Sequence, residues 1–222
     1  MQAIDGAAFE RRDSSPPLPC DEIHVWRFRV AADDPRAVGG AAREVLLRLL
    51  AGYAGLARAP AIALGPHGKP FAPDLAGIDF NLSHAGRDVL FAFARGQAVG
   101  IDLERSDRRL SIEGIARRFF APAEAEALER LDESARYDAF LHLWTAKEAV
   151  LKALGEGLQF GLGRLEFRIG ADATVDALQR IEGDVGGPAE WQLRRLLPWR
   201  GLVGALAWRG PDRAVRAFTL AT

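Results

Sequence analysis

Two segments of this chain hold residue types that can act on a phosphate ester. Gly100-Ile-Asp102-Leu-Glu104 places two carboxylates two positions apart in a strand-like stretch, and Trp144-Thr-Ala-Lys147-Glu148-Ala-Val-Leu-Lys152 places a third carboxylate and two lysines in a helix-like one. In a strand, Asp102 and Glu104 share a face with Gly100 while Val99, Ile101 and Leu103 take the other. Like charges about 6 to 7 Å apart along a strand repel, and a cation between them relieves the repulsion. An all-oxygen donor set suits Mg²⁺ or Mn²⁺ far better than zinc. On spacing alone, a plain solvated strand face is the better reading, because Asp-x-Glu is common.

The helical stretch changes the balance. Phe140, Leu143, Val150, Leu151 and Leu154 form an apolar stripe, and Trp144, Glu148 and Lys152 stack at i, i+4 and i+8 along its edge. A surface Glu–Lys pair accounts for Glu148 and Lys152. It does not account for Lys147, which projects into the stripe and must either snorkel outward or serve a buried anion. Lys69, held between Gly68 and Pro70, and Ser83-His84 at a strand end could contact phosphate oxygens. Gly100 leaves room for a ligand or another backbone to come close. His24, His67 and His142 have no ligand spacing and read as structural, and there is no metalloprotease helix, Walker loop, nucleophile elbow or dinucleotide fingerprint.

The elements that must position these residues alternate along the chain. Residues 1 to 20, ending in Ser14-Ser-Pro-Pro-Leu-Pro19, read as a flexible lead-in. A strand is expected over Ile23–Val30, a helix over Pro35–Leu56, a loop over Gly65–Pro70, and strands over Phe80–His84, Val89–Ala94 and Ala98–Glu104, the last two joined as a hairpin through Arg95-Gly96-Gln97. Helices follow at Ile112–Phe120, Pro122–Leu131 and Ala135–Leu154, the last stopped by Gly155. Strands close the chain at Leu165–Ile169, Trp191–Leu197, Leu202–Trp208 and Val215–Leu220. The two series of strands resemble each other in outline. The expected fold is therefore α+β, with two similar lobes, 21–105 and 106–222, each a three-stranded antiparallel meander with packed helices and related by a pseudo-two-fold axis.

The bulk composition narrows the function classes. With 222 residues, 49% hydrophobic and 27% charged, the chain can bury a core and is not wholly disordered. A formal net charge of -1 gives no basic excess for nucleic acid, although Arg105, Arg108, Arg109, Arg117 and Arg118 cluster after Glu104. Cys20 is alone, which excludes an internal disulfide and a thiolate zinc site. No stretch reads as a signal peptide or membrane span, so a soluble cytoplasmic protein with no membrane partner is expected.

Taken together, Gly68-Lys-Pro70, Phe80-Asn-Leu-Ser-His84, Gly100-Ile-Asp-Leu-Glu104, Arg118-Phe-Phe-Ala-Pro122 with Glu124, and Trp144-Thr-Ala-Lys-Glu-Ala-Val-Leu-Lys152 resemble the 4′-phosphopantetheinyl transferases of the larger, two-lobed type. The likeness is close from about Arg43 to Leu158 and loose in the C-terminal strands. It implies transfer of the phosphopantetheine arm of coenzyme A to a serine of an apo acyl or peptidyl carrier protein, with release of adenosine 3′,5′-bisphosphate. It also implies Asp102, Glu104 and Glu148 as Mg²⁺ (or Mn²⁺) ligands, Lys152 as pyrophosphate partner, and Glu148 as base for the serine. Lys69, Ser83 and His84 would contact the phosphates and adenosine end, and Arg48 the 3′-phosphate. Relatives of this type carry a longer basic stretch where this chain has only Ala-Ala-Asp33-Asp34 before Pro35, and these aspartates cannot supply that charge. The Arg105 to Arg118 cluster would steer an acidic carrier, and the paired lobes suit a monomer. The same acids also admit a metal-dependent phosphodiesterase or nuclease, or a non-catalytic carrier-protein or coenzyme A binding module.

Overall fold

Two sheets lie face to face between two helical layers in the computed structural model, which describes residues 1–31, 34–107, 112–170 and 172–221. In the first half, β1 (Gln2–Asp5), β2 (Glu10–Arg12) and β3 (Glu22–Arg29) precede helix α1 (Pro35–Ala54). A short β4 (Ala63–Leu64) and β5 (Pro70–Phe71) then lead to β6 (Ile78–Ala85), β7 (Asp88–Arg95) and β8 (Val99–Arg105). The second half has α2 (Ile112–Phe119), α3 (Pro122–Glu129), α4 (Glu133–Leu154), β9 (Leu165–Ile169), β10 (Val175–Ile181), β11 (Trp191–Leu197), β12 (Leu202–Arg209) and β13 (Ala214–Leu220).

Local chemistry explains the long helices. The Asp34 carboxylate accepts from the Ala37 amide at 2.8 Å and Pro35 opens α1, while Asp132 accepts from Ala135 at 3.0 Å to open α4. Gly55 and Gly155 end them in the left-handed conformation, at φ 65° and 77°. Asp34 is thus a helix cap, and Asp33 lies outside the described residues.

The first sheet runs β2-β13-β3-β7-β6 and the second β1-β11-β12-β8. The α+β class agrees with expectation, but neither expected meander forms as drawn: β6-β7 and β11-β12 pair antiparallel, whereas β8 does not pair with β7 and β13 does not pair with β12. Both edges of β7 are taken by β3 and β6, so β8 crosses over and pairs with β12, with Asp102 opposite Ala205. In return β13 joins the first sheet, parallel to β3 with Phe218 opposite Trp26. Burial drives the exchange. Val99, Ile101 and Leu103 pack between the sheets with Ile23, Val25, Leu90 and Ala92, a core that β8 could not reach as a plain extension of β7.

The lead-in is also not a loose tail. β1 pairs in parallel with β11 and β2 with β13, each covering a sheet edge, and Phe9 and Leu18 are buried. Strands of three or four residues bury too few side chains to show an alternating pattern, which explains why they escape a periodicity reading.

One buried group gives the fold a pH dependence. His142 lies on the buried face of α4, 6% exposed, with no hydrogen-bond partner for Nδ1 among the described residues. Burial first, then the Arg195 charge, lowers its pKa from 6.5 to about 3. Between those values the unfolded chain binds the extra proton, so stability is fully present above pH 6.5 and lost as pH falls toward 3, by up to about 1.4 kcal/mol per pH unit. A His142→Leu variant is expected to lose urea resistance less steeply than the parent between pH 6.5 and 4.5. Parallel slopes would show that this histidine charges without cost.

Candidate active site at the seam of the two sheets

The site exists because α4 lies directly on β8. A Cβ built on Gly100 would stand 2.1 Å from the Ala149 carbonyl oxygen and 2.3 Å from the Ala153 nitrogen, so only glycine allows this approach. Ala146, Ala149 and Ala153 give the helix a small-residue face there, and all three are buried. The room expected at Gly100 is filled by a backbone, and the consequence is electrostatic. Lys152, in the last turn of α4, is lowered onto the even-numbered face of β8.

Lys152 Nζ donates to Asp102 Oδ1 at 2.7 Å and to Ser83 Oγ at 3.1 Å, and Ser83 Oγ donates to the same Asp102 oxygen at 2.9 Å. Asp102 is 5% exposed, and its other oxygen, Oδ2, is buried without a partner among the described residues. Glu148 stands one helical turn before Lys152 and is half-buried. Its pKa is pushed up to about 7, by burial first and then by the charge of Asp102, with Glu104 adding to the rise and Lys152 opposing it. Glu148 therefore feels both strand acids across the seam. Among the described residues no three or more His, Cys, Asp or Glu side chains are drawn into a ready-made metal cage. Even so, an unpartnered carboxylate oxygen and a destabilised neighbouring charge are what a hard cation with oxygen ligands corrects, and the residues present fit Mg²⁺.

β6 aligns β8 from the other side. Asp79, Asn81 and Ser83 alternate on one face of β6, while Phe80 and Leu82 pack toward α1. β8 is the edge strand of its sheet, and its outward amides are capped by side chains rather than by a ladder. Val99 N–H donates to Asp79 Oδ1 and Ile101 N–H to Asn81 Oδ1, each at 3.0 Å. Asp79 and Asn81 were not among the residues expected to matter. The signal was available: a strand with one apolar face and Asp-x-Asn-x-Ser on the other must satisfy that polar face somewhere.

The remaining expected residues are placed differently. Lys69 Nζ is held by Asp79 and by the backbone carbonyls of Val99 and Ala153. His84 is exposed on the face of β6 opposite Ser83, and Arg48 is exposed on α1, so neither joins the acidic group. In the arginine cluster, Arg105 pairs with Asp107 at 2.8 Å and Arg117 with Glu129 at 2.7 Å, which weakens any long-range field. Arg118 sits over the Phe119 ring, and Arg108 and Arg109 lie outside the described residues.

Of the two outcomes left open for Lys147, snorkelling outward or serving a buried anion, the second is found. Its ammonium is fully buried, 2.7 Å from Glu124 Oε2, donates to the Leu162 and Leu165 carbonyls, and lies over the Phe120 ring. Glu124 accepts in turn from the Ala121 and Phe167 amides. Burial lowers the Lys147 pKa to about 8 and raises that of Glu124. The pair ties α3, α4 and β9 together, so Lys147 supports the helix that carries Glu148 and takes no part in the acidic cluster.

The chain is similar to several known proteins. Residues 98–200 match the model of the 4′-phosphopantetheinyl transferase superfamily. The 4′-phosphopantetheinyl transferase HetI of Nostoc sp. is 34% identical over 213 residues, covering 93% of this chain and 85% of that protein. The 4′-phosphopantetheinyl transferase Sfp of Bacillus subtilis is 41% identical over 109 residues, about half of each chain at 49% and 47%. The Thermotoga maritima holo-[acyl-carrier-protein] synthase overlaps 51% of this chain and 62% of its own, with a TM-score of 0.39 and 22% identity.

Proposed function

Because the chain belongs to the 4′-phosphopantetheinyl transferase superfamily, we propose that it moves the phosphopantetheine arm of coenzyme A onto a serine of an apo acyl or peptidyl carrier protein and releases adenosine 3′,5′-bisphosphate. The observation that carries this reading is the cluster at the seam, where Lys152, Asp102 and Ser83 are joined by hydrogen bonds and Glu148 feels both Asp102 and Glu104.

The serine oxygen bonds to the phosphorus bearing the pantetheine arm, and the bond from that phosphorus to the nucleotide phosphate breaks. Glu148, directly or through a water, takes the serine proton, the task of a carboxylate within hydrogen-bond reach of the hydroxyl. Lys152 holds positive charge where the leaving group gains negative charge. Ser83, which here accepts from Lys152 and donates to Asp102, would turn its one hydroxyl proton from Asp102 to reach a phosphate oxygen. His84 and Arg48, both exposed, would meet the nucleotide end only from the solvent side. Asp102, Glu104 and Glu148 would hold Mg²⁺ (or Mn²⁺), which when bound neutralises pyrophosphate charge. No helix among the described residues is long and apolar enough to cross a membrane. The reading takes the protein as a cytoplasmic monomer acting on coenzyme A and a carrier, without a nucleic-acid partner.

The test is direct. Incubated with coenzyme A, Mg²⁺ and a panel of apo-carriers, the protein is expected to add the mass of one phosphopantetheine to a carrier serine, and the addition should cease with chelator. Cleavage of phosphodiesters with no carrier modified, or coenzyme A binding without turnover, would replace this reading.

A further inference from the structure

We propose that Lys69 and Asp79 form a positioning latch, which pins β8 to the last turn of α4 and so sets where Lys152 stands, rather than a grip on the substrate's phosphates. The Lys69 ammonium meets protein acceptors on three separate elements. It lies 3.1 and 3.3 Å from the two oxygens of Asp79 on β6, 3.1 Å from the Val99 carbonyl on β8, and 3.4 Å from the Ala153 carbonyl on α4. An ammonium has three protons, and these acceptors engage them all. The Lys69 side chain is only 18% exposed.

Each contact has a physical reason. Ala153 is in the final turn of α4, where carbonyls lack helical partners and the negative end of the helix dipole attracts a cation. Val99 is an edge residue of its sheet, and Asp79 satisfies its amide while Lys69 satisfies its carbonyl. The aliphatic stem of Lys69 runs beside Gly155, where an added Cβ would stand 3.5 Å from Lys69 Cδ. Asp79 and Lys69 thus close a loop of bonds around the point where α4 presses on Gly100. Ala153 adjoins Lys152, so a shift of this turn changes the reach of the Lys152 ammonium to Asp102 and Ser83.

This inference rests on the transferase reading for its activity readout, and a second readout stands apart from it. Lys69→Met and Asp79→Asn, singly and combined, are compared with the parent for kcat and for KM toward coenzyme A. Hydrogen exchange of the last-turn amides of α4 is followed in parallel, after far-UV circular dichroism has shown native helix content. A latch lowers kcat in both single variants by about tenfold, because small misplacements of a charge-stabilising group are costly to rate. KM should stay within about twofold of the parent and the double variant should lose less than the two single losses combined, since both changes break the Lys69–Asp79 bond. Amides at 153–155 should exchange faster in all three variants. A large rise in KM with Lys69→Met, while Asp79→Asn behaves as the parent, would instead make Lys69 a ligand contact and overturn the latch. Parental kcat and exchange in either single variant would also overturn it. If the parent modifies no carrier, the transferase reading fails by itself and the exchange data alone decide on the latch.

Discussion

Glu148→Ala is expected to abolish carrier modification while the protein stays folded, and Asp102→Ala to do the same with a small loss of stability. The two differ because their surroundings differ. Glu148 is half-buried, and burial together with the charges of Asp102 and Glu104 pushes its pKa up to about 7. Removing it relieves that repulsion, so the folded state should lose nothing and even gain slightly in urea resistance, the usual signature of a group kept for function at a cost in stability. Asp102 is different, because its loss strips Lys152 and Ser83 of their shared acceptor. Loss of a proton acceptor or of preorganised charge lowers rate by roughly 10²- to 10⁴-fold. The double variant should be no slower than the worse single one, because residues that act as a unit do not add. Intact-mass measurement of the carrier over time, with urea midpoints for each variant, tests both halves. A variant that modifies the carrier at the parental rate would sink the assignment of that carboxylate.

Gly100→Ala, the addition of a single methyl group, is expected to damage both stability and activity. The new Cβ would stand 2.1 Å from the Ala149 oxygen and 2.3 Å from the Ala153 nitrogen. Both are backbone atoms of α4, so no side chain can rotate away and the helix itself must retreat. Overpacking of this kind costs about 1 to 3 kcal/mol. The retreat also lifts Lys152 from Asp102, and a displacement near 1 Å at a reacting group can cost about 10²-fold in rate. The combined readout separates this from simple unfolding: activity should fall well below the fraction of folded protein measured by circular dichroism at the same temperature. A Gly100→Ala protein with parental urea midpoint and parental kcat would mean that α4 does not press on β8.

The latch and the two prominent variants share one physical basis. β8 is an edge strand whose face, register and distance from α4 are set by neighbours from both halves of the chain. Gly100 sets the distance, Asp79 and Asn81 cap the outward amides, and Val99, Ile101 and Leu103 bury the opposite face between the sheets. A slip of one residue would turn Asp102 and Glu104 into the inter-sheet core and bring Ile101 and Leu103 to α4. The chemistry therefore depends on residues that never meet the reacting atoms.

Much was determined by the sequence alone, wherever the information is local. Helices α1 and α4 follow from periodicity and from Asp34, Pro35, Gly55, Asp132 and Gly155, each acting within a few residues of itself. The alternation in β8 assigned Asp102 and Glu104 to one face, and the place of Lys147 in an apolar stripe left two outcomes, a snorkelling amine or a buried anion, of which the fold supplies the second in Glu124. Tertiary structure alone decided which edges were free. β8 and β13 change sheets because β7 already has two partners, and the lead-in becomes edge strands because both sheets offer an edge. It also decided that Lys69 meets Asp79, Val99 and Ala153, and that His84 and Arg48 remain exposed. Pairing partners and the direction of a long, flexible side chain depend on contacts between residues far apart in the chain, and no local pattern of residue types encodes them.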